Sequence, residues 1–193
     1  KSLNYSLSNY EKFIKFPKYE NASNMCLAAN LSGKAISIAR TTAPHAVSYP
    51  FTSLYNISHG HAVSLTLSNF LKFNYVNLSR SENRAILSKK YKILFNLTKT
   101  KSIDDFCSYM DFLKKSAGLE SKLSNLKINL DSALEKIISG INIKRLKNNP
   151  IEINTLDIKK ILNEIKWDLN MKEFYKIFNQ VSIQNSKIYN LKT

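Results

Sequence analysis

The chain has 193 residues, and 29 lysines and arginines against 14 aspartates and glutamates give it a formal net charge of +15. Its hydrophobic fraction of 44% excludes a disordered chain, and no run approaches the roughly 18 consecutive apolar residues that a membrane span needs. The length suits one domain with a hydrophobic core, with room for a short tail.

The basic residues are mostly lysines, which are spread from Lys1 to Lys192, while arginine is scarce. No aromatic-and-basic RNA-binding motif and no zinc-finger spacing accompanies them. A compositional bias with solvated lysines explains the charge better than nucleic-acid binding, which we do not expect.

The N-terminal sequence and the cysteines bear on the compartment. The segment that begins Lys1-Ser2 lacks the basic region and apolar stretch of a signal peptide. Cys26 and Cys107 lie far apart on helix-like segments, which is typical of reduced core residues rather than of a disulfide or a metal pair. Together these features predict a cytoplasmic location without a membrane partner.

The composition and the apolar spacing favour helices throughout. Four glycines and four prolines are too few for the turns of a sheet-rich fold. The first helix is predicted from about Leu3 to Phe16, because Pro17 ends it. The later helices are marked by Pro44, His59, the cap residues Ser81, Ser102 (with Asp105) and Ser132 (with Glu135), the terminator Gly140, and an apolar stripe after Asn154. Since no stretch alternates long enough for a sheet, the predicted fold class is all-α.

The three histidines of the chain, His45, His59 and His61, fall within seventeen consecutive residues. Pro44 suits the first turn of a helix and places His45 near its start, and His59 opens the next helix. Two consecutive helices can therefore direct imidazoles at one point, and neutral imidazole is a good ligand for divalent iron or zinc. By spacing alone, surface or core histidines remain the more common explanation. His59 and His61 point in different directions on a helix, so we do not expect both to bind the same ion, and His59 is the better candidate.

The sequence around these histidines resembles the C-terminal helical domain of the iron-containing (group III) alcohol dehydrogenases, a bundle of the dehydroquinate synthase-like type. The resemblance lies in Leu27–Ala35, in Thr41-Thr42-Ala43-Pro44-His45, in His59-Gly60-His61-Ala62-Val63 and in Asn142-Ile143-Lys144-Arg145-Leu146. In that family two histidines stand fourteen residues apart, the second after a proline, where this chain has Ser58. Within this family, residues 41–45 and 59–63 are most similar in sequence to the phosphonoacetaldehyde reductases.

The resemblance implies that His45 and His59 bind a divalent metal, iron first and zinc as the alternative. It also implies that His61 lines the substrate side of the cleft as a catalytic residue. Tyr49 stands where some members carry another histidine. The family's remaining ligands, an Asp-x-x-x-His pair, and its Gly-rich loop for NAD(P) have no counterpart in this sequence. We therefore expect NAD(P) only with an additional N-terminal domain, and the cofactor-binding residues stay unknown.

Three hypotheses follow, and they leave open whether this chain is an enzyme by itself. The first is the metal-binding half of an NAD(P)-dependent alcohol dehydrogenase or aldehyde reductase, inactive without a nucleotide-binding domain or chain. The second is a degenerate, stand-alone helical domain with a binding or assembly role. The third is a dehydroquinate synthase-like enzyme, which the segment around His59 allows but the segment Pro44-His45-Ala46 does not match.

The predicted organisation is a helical metal-binding domain over residues 1–167, followed by an extra amphipathic helix and a polar tail over residues 168–193. If a nucleotide-binding domain normally covers the histidine region, apolar residues there should be exposed. Val47, Phe51 and Leu54 are the residues expected on this surface, which predicts self-association into a homo-oligomer.

Overall fold

The computed structural model describes residues 1–166, and the helix and tail predicted over residues 168–193 lie outside the described residues. Helices make up the described part of the chain, and no strand occurs in it, which confirms the all-α prediction. The helices are α1 (Ser2–Lys15), α2 (Tyr19–Ala39), α3 (Ala43–Tyr55), α4 (His59–Val76), α5 (Arg84–Thr98), α6 (Ile103–Ser116), α7 (Leu130–Ser139), α8 (Ile143–Leu146) and α9 (Thr155–Lys166), with a 3₁₀ turn at Leu78–Arg80.

The first two helices form a hairpin in which α2 packs almost entirely against α1. Pro17 lies in the link between them, and α1 ends at Lys15, one residue before the predicted end at Phe16. Past Ala28, which is buried, the second half of α2 stays open to solvent, and Ile36 and Ile38 on it are exposed. This long helix therefore carries an apolar surface that residues 1–166 leave uncovered.

The main core lies where α3, α4, α7 and α9 meet. Phe51 of α3, Phe70 of α4, Ile137 of α7 and Leu162 of α9 are completely buried in it. A smaller core forms around Tyr91, where α5 and α6 pack against the end of α4. Burial of each large apolar side chain contributes about 1.5–3 kcal/mol, so these two clusters fix how α3 and α4 sit against the other helices.

Val47 and Phe51 both belong to this core, and each has none of its surface exposed. The prediction that they form an uncovered apolar surface beside the histidines is therefore wrong. Both lie on the inward face of α3, where they pack against α4 and α7 rather than facing an absent domain. Of the three residues named, only Leu54 is exposed, at 50%.

The helix caps match the sequence prediction in part. Ser102 accepts a hydrogen bond from the backbone N–H of Asp105, and it caps α6 as expected. The predicted cap at Ser132 is wrong, because α7 begins earlier, at Leu130, where Asn129 accepts from the N–H of Asp131. The Ser81 cap is also displaced, since α5 begins at Arg84, after a turn in which Ser81 accepts from the N–H of Asn83.

Gly140 ends α7, but not through a left-handed backbone, since its φ is −80°. Its role is one of packing. A Cβ built at this position would lie 3.0 Å from Cγ of Pro50, so α3 and α7 approach each other closely at this glycine.

A buried pair of amides ties the end of α4 to the loop that follows α8. The side chain of Asn149 donates to Oδ1 of Asn74 at 2.7 Å and to the carbonyl of Ile151, also at 2.7 Å, while Asn74 donates back to Oδ1 of Asn149 at 3.3 Å. Both asparagines are buried, so this pair fixes the loop after α8 to the end of α4, while α8 itself packs against α3.

Among residues 1–166, none of the helices is both long and apolar enough to cross a membrane.

Candidate metal centre and its cleft

Two helices bring His45 and His59 side by side. Pro44 lies in the first turn of α3 and fixes the start of that helix, so His45 projects from its N-terminal end. Asn56, with φ of 53°, takes the left-handed conformation that ends α3, and the chain re-enters a helix at His59. The two imidazole rings lie 5.4 Å apart between centroids and are tilted by 59°.

Ser48 sets the tautomer of His59. Its hydroxyl donates to the carbonyl of His45 at 2.8 Å, and its oxygen lies 3.3 Å from Nδ1 of His59. A hydroxyl has a single hydrogen, which the carbonyl takes, so Nδ1–H of His59 donates to Ser48. Nε2 of His59 then carries the free lone pair that a metal ligand needs.

The environment of His45 favours the neutral imidazole. Burial lowers the pKa of His45 below its ordinary value of 6.5, and the positive fields of His59 and Arg145 lower this pKa further. Since the half-buried ring is neutral above that value, it offers a lone pair near neutral pH.

His61 is turned to a different part of the molecule. Its Nε2 lies 2.6 Å from the carbonyl oxygen of Glu120, in the loop after α6, and must donate because a carbonyl only accepts. The Glu120 carboxylate accepts hydrogen bonds from the N–H of Lys122, the side-chain amide of Asn125 and the N–H of Ser121, and these bonds lower the pKa of its carboxyl group. His61 does not line the cleft that holds His45 and His59. Its catalytic role stays a prediction.

The histidine pair lies in an open cleft of about 640 Å³ between the end of α2, the start of α3 and α4, and α8. Three cationic residues line it together with the histidines, namely Arg40, Lys144 and Arg145, and no Asp or Glu of the described chain does. The cleft is therefore electropositive.

Arg145 is anchored beside the histidines by Tyr49. Its Nη1 donates to the hydroxyl of Tyr49, and its guanidinium carbon lies 4.7 Å from the centre of the Tyr49 ring, within the range of a cation–π contact. The Tyr49 ring in turn lies 5.4 Å from that of His59. Sequence reasoning missed Arg145, because 96 positions separate it from Tyr49 and no local pattern links them.

Arg40, at the end of α2, has φ of 59° and ψ of 179°. Essentially only glycine adopts this region without strain, which costs other residues about 1–3 kcal/mol. The backbone N–H of Arg40 donates to the carbonyl of Ile36 at 2.9 Å, which closes the helix in this conformation. Arg40 thus lines the cleft with a backbone conformation that is unfavourable for an arginine.

The donor set suits a divalent ion but is incomplete within the described chain. Two imidazoles side by side, with the neutral form of His45 favoured by burial and Nδ1–H of His59 engaged by Ser48, fit half of a protein metal site. In residues 1–166, no group of three or more His, Cys, Asp and Glu side chains could hold an ion together. His45 and His59 can therefore supply two ligands, and further ligands would have to come from elsewhere.

The family can be stated from the sequence match. The pattern described as "Fe-containing alcohol dehydrogenase family, C-terminal" matches residues 1–166. The chain belongs to this family. A phosphonoacetaldehyde reductase from Streptomyces viridochromogenes is 46% identical over 48 residues, a match that covers 25% of this chain and 12% of that protein.

Solved structures of the family share the fold. An archaeal halo-thermophilic alcohol dehydrogenase from a Red Sea brine pool superposes with a TM-score of 0.73 at 18% identity, over 85% of this chain and 42% of its own. A sulfoacetaldehyde reductase from Bifidobacterium kashiwanohense, solved in complex with NAD⁺, gives 0.69 at 21% identity, over 86% of this chain and 42% of its own. The chain thus spans less than half the length of the relatives it matches.

Proposed function

We propose that this chain is the metal-holding half of an NAD(P)-dependent aldehyde reductase of the iron-containing alcohol dehydrogenase family. The observation that carries the proposal is the contact between His45 and His59, which the turn from α3 to α4 creates at the floor of an open cleft. The named relatives are alcohol dehydrogenases and aldehyde reductases, which favours this hypothesis over a dehydroquinate synthase-like enzyme.

His45 and His59 would hold the metal, and Ser48 would keep Nε2 of His59 available to it. A divalent ion, iron in the first instance and zinc as the alternative, would supply Lewis-acid polarisation of the substrate oxygen, and NAD(P) on a separate nucleotide-binding part would supply the hydride. Burial would keep His45 neutral, and Ser48 would keep the His59 ring oriented.

The substrate class comes from the relatives together with the charge of the cleft. One relative is named a phosphonoacetaldehyde reductase and another a sulfoacetaldehyde reductase, so both names describe aldehydes with an acidic group. An electropositive cleft beside the histidines suits such a molecule. We therefore propose a phosphonoacetaldehyde-like aldehyde as the substrate.

The partner proposed for this half is an N-terminal nucleotide-binding domain, on the same chain or on another. The exposed second half of α2, with Ile36 and Ile38 at its surface, borders the cleft and is the surface that such a domain would cover. Self-association through the same surface, in a cytoplasmic protein, is the corresponding proposal for the chain without that domain.

One observation favours a second candidate, a stand-alone helical domain with a binding or assembly role. Only two histidines, and no third metal-binding side chain, meet within residues 1–166. Two protein ligands leave most coordination positions open and bind a metal weakly. In this case the fold persists as a scaffold, and the histidine pair has no catalytic use.

The test is to fuse the nucleotide-binding half of the Streptomyces viridochromogenes reductase to the start of this chain and to assay reduction of phosphonoacetaldehyde. The proposal predicts turnover that requires Fe²⁺ and a nicotinamide cofactor and that falls at least roughly a thousandfold in His45→Ala and in His59→Ala, because each removes an oriented ligand of the ion. Nicotinamide binding by the fusion serves as the control for a folded N-terminal half.

The two candidates give opposite results in this assay. A fusion that binds nicotinamide and Fe²⁺ but has no turnover, or whose turnover survives both histidine substitutions, supports the scaffold. The catalytic role predicted for His61 is tested by His61→Ala in the same fusion. Unchanged turnover in this variant would contradict that role.

A further inference from the structure

Within residues 1–166, the cations of the cleft have no acidic partners. Arg40, Lys144 and Arg145 form no ion pair with any Asp or Glu of residues 1–166, and all three are exposed. Other basic residues of the fold, such as Lys72 with Asp104, are neutralised by a carboxylate at 2.7 Å. The positive charge of the cleft is therefore available to a ligand.

A chain with a net charge of +15 places lysines on many faces, so a cluster of cations alone means little. The arginines are more informative, because the sequence contains only four of them, at positions 40, 80, 84 and 145. Two of the four line this cleft. A general bias toward basic residues does not explain why the scarce arginines gather at the histidine pair.

Arg145 is oriented before any ligand arrives. Tyr49 takes one of its five N–H donors and stacks against its face, which leaves the other donors free. The planar guanidinium matches a phosphonate, sulfonate or carboxylate through paired hydrogen bonds. Tyr49 contacts both Arg145 and His59, so only the Tyr49 ring separates the Arg145 guanidinium from the histidine pair.

Arg40 supplies the second fixed charge. The backbone of Arg40 is strained, and the fold does not require an arginine there. Glycine, which tolerates positive φ, would end α2 equally well. Strain of this kind concentrates at functional sites, and here it holds an arginine at the cleft, across from α8.

We infer that Arg40, Lys144 and Arg145 form an anion subsite that binds the phosphonate group of the substrate while its aldehyde carbon lies at the histidine pair. The inference rests on the proposed function for the identity of the substrate. It adds the residues that decide specificity, with Arg145 as the principal contact and Tyr49 as the residue that positions it.

The first experiment titrates the chain with phosphonoacetate, without added metal, and follows the Nε–H signals of its four arginines by NMR. The signals of Arg40 and Arg145 are expected to shift along one common binding curve, while those of Arg80 and Arg84 stay in place. Acetamide, a small neutral analogue, is expected to move none of them. Equal shifts at all four arginines, or no shift at any, would overturn the subsite.

The second experiment measures phosphonoacetate affinity in Arg145→Gln and, as the matched control, in Arg84→Gln, which removes an exposed arginine outside the cleft. The expected result is a loss of roughly tenfold in the first variant, because a charge-assisted contact is removed, and no change in the second. Equal losses in both would show a response to net charge alone and would contradict the proposal. Tyr49→Phe, which keeps the ring but removes the acceptor, is expected to give an intermediate loss.

Failure of this inference and failure of the proposed function are distinguishable. In the fused enzyme, Arg145→Gln is expected to raise KM for phosphonoacetaldehyde and to leave that for propanal, a neutral aldehyde, unchanged. If both KM values stay unchanged while Fe²⁺-dependent turnover continues, only the subsite is wrong. If the arginine signals respond to phosphonoacetate but the fusion has no turnover, the reductase proposal fails and the anion site remains.

Discussion

The imidazole rings of His45 and His59 are 5.4 Å apart, although fourteen residues and a helix–turn–helix separate them along the chain. Their closeness depends on three local features, which are the proline that starts α3, the left-handed Asn56 that ends it, and the immediate start of α4 at His59. Ser48, on the turn after His45, then joins the two by touching both. The pair is thus a product of backbone geometry, which the core behind α3 keeps in place.

Removal of the Ser48 hydroxyl should weaken metal binding without unfolding the chain. Ser48→Ala deletes the acceptor of Nδ1–H in His59, so the ring loses its fixed tautomer and orientation, and loss of such an outer contact typically costs about 10–100-fold in metal affinity. The measurement is a Co²⁺ titration followed by absorption. Ser53→Ala, which removes a hydroxyl of the same helix that bonds only a backbone carbonyl, is the control. Equal affinities in the two variants would refute the role assigned to Ser48.

Two glycine substitutions should change stability in opposite directions. Gly140→Ala places a Cβ 3.0 Å from Pro50, so α3 and α7 must separate, and we expect a loss of about 1 kcal/mol in the free energy of unfolding. Gly33→Ala lies in α2 with nothing within 4 Å of its Cβ, and it should gain about 0.5–1 kcal/mol through helix propensity. Urea unfolding of both variants measures the difference, and a gain in Gly140→Ala would show that the contact is not tight.

The buried amide pair should be strongly coupled. Replacing either Asn74 or Asn149 by Leu leaves the other amide buried without its partner, which should lower the free energy of unfolding by about 1–3 kcal/mol. Replacing both removes both amides and leaves only the Ile151 carbonyl without its donor, so the double variant should be less destabilised than the sum of the two single variants. A double-mutant cycle in urea measures this coupling, and simple additivity would contradict it.

The two cysteines should differ in reactivity. Burial raises the pKa of the Cys107 thiol to about 11, and its Sγ lies 3.7 Å from the carbonyl of Ser68, while Cys26 is exposed. The prediction that both cysteines are core residues is therefore wrong for Cys26. Since the thiolate is the reactive form, a disulfide reagent at pH 8 should modify Cys26 rapidly and Cys107 only slowly. The rate at Cys107 should rise as the pH approaches 11, or when urea unfolds the chain. Equal rates for both thiols at pH 8 would show that Cys107 is not protected.

Much of the fold could be predicted because its signals are local. Pro17 and Pro44 mark helix boundaries through their fixed φ and missing N–H. Ser102, followed three residues later by Asp105, predicts the start of α6. The same kind of signal misplaced α7, because Ser132 and Asn129 can both cap a helix and the burial of Leu130 favours the earlier start. Local chemistry therefore predicts that a helix exists better than it predicts where it begins.

The candidate site could be predicted only as far as the family pattern reaches. His45 and His59 stand in motifs, whereas Arg145 comes to Tyr49 through the packing of α8, which no short pattern encodes. The exposure expected at Val47 and Phe51 was wrong for a related reason. Position near the histidines along the chain does not tell which face of α3 a residue occupies, and the tertiary core decides it.

In the proposed metal centre His45 and His59 act together as ligands of one divalent ion, and proton NMR of the imidazole Cε1–H groups can observe this binding at each ring. With only three histidines in the chain, each signal can be followed separately as Zn²⁺ is added. We expect the His45 and His59 signals to respond with one common apparent affinity, the His61 signal to stay unchanged because its ring is held on the Glu120 carbonyl, and His45→Ala to abolish the response of His59. Independent titration of His45 and His59, a response confined to His61, or no response at any histidine would contradict it.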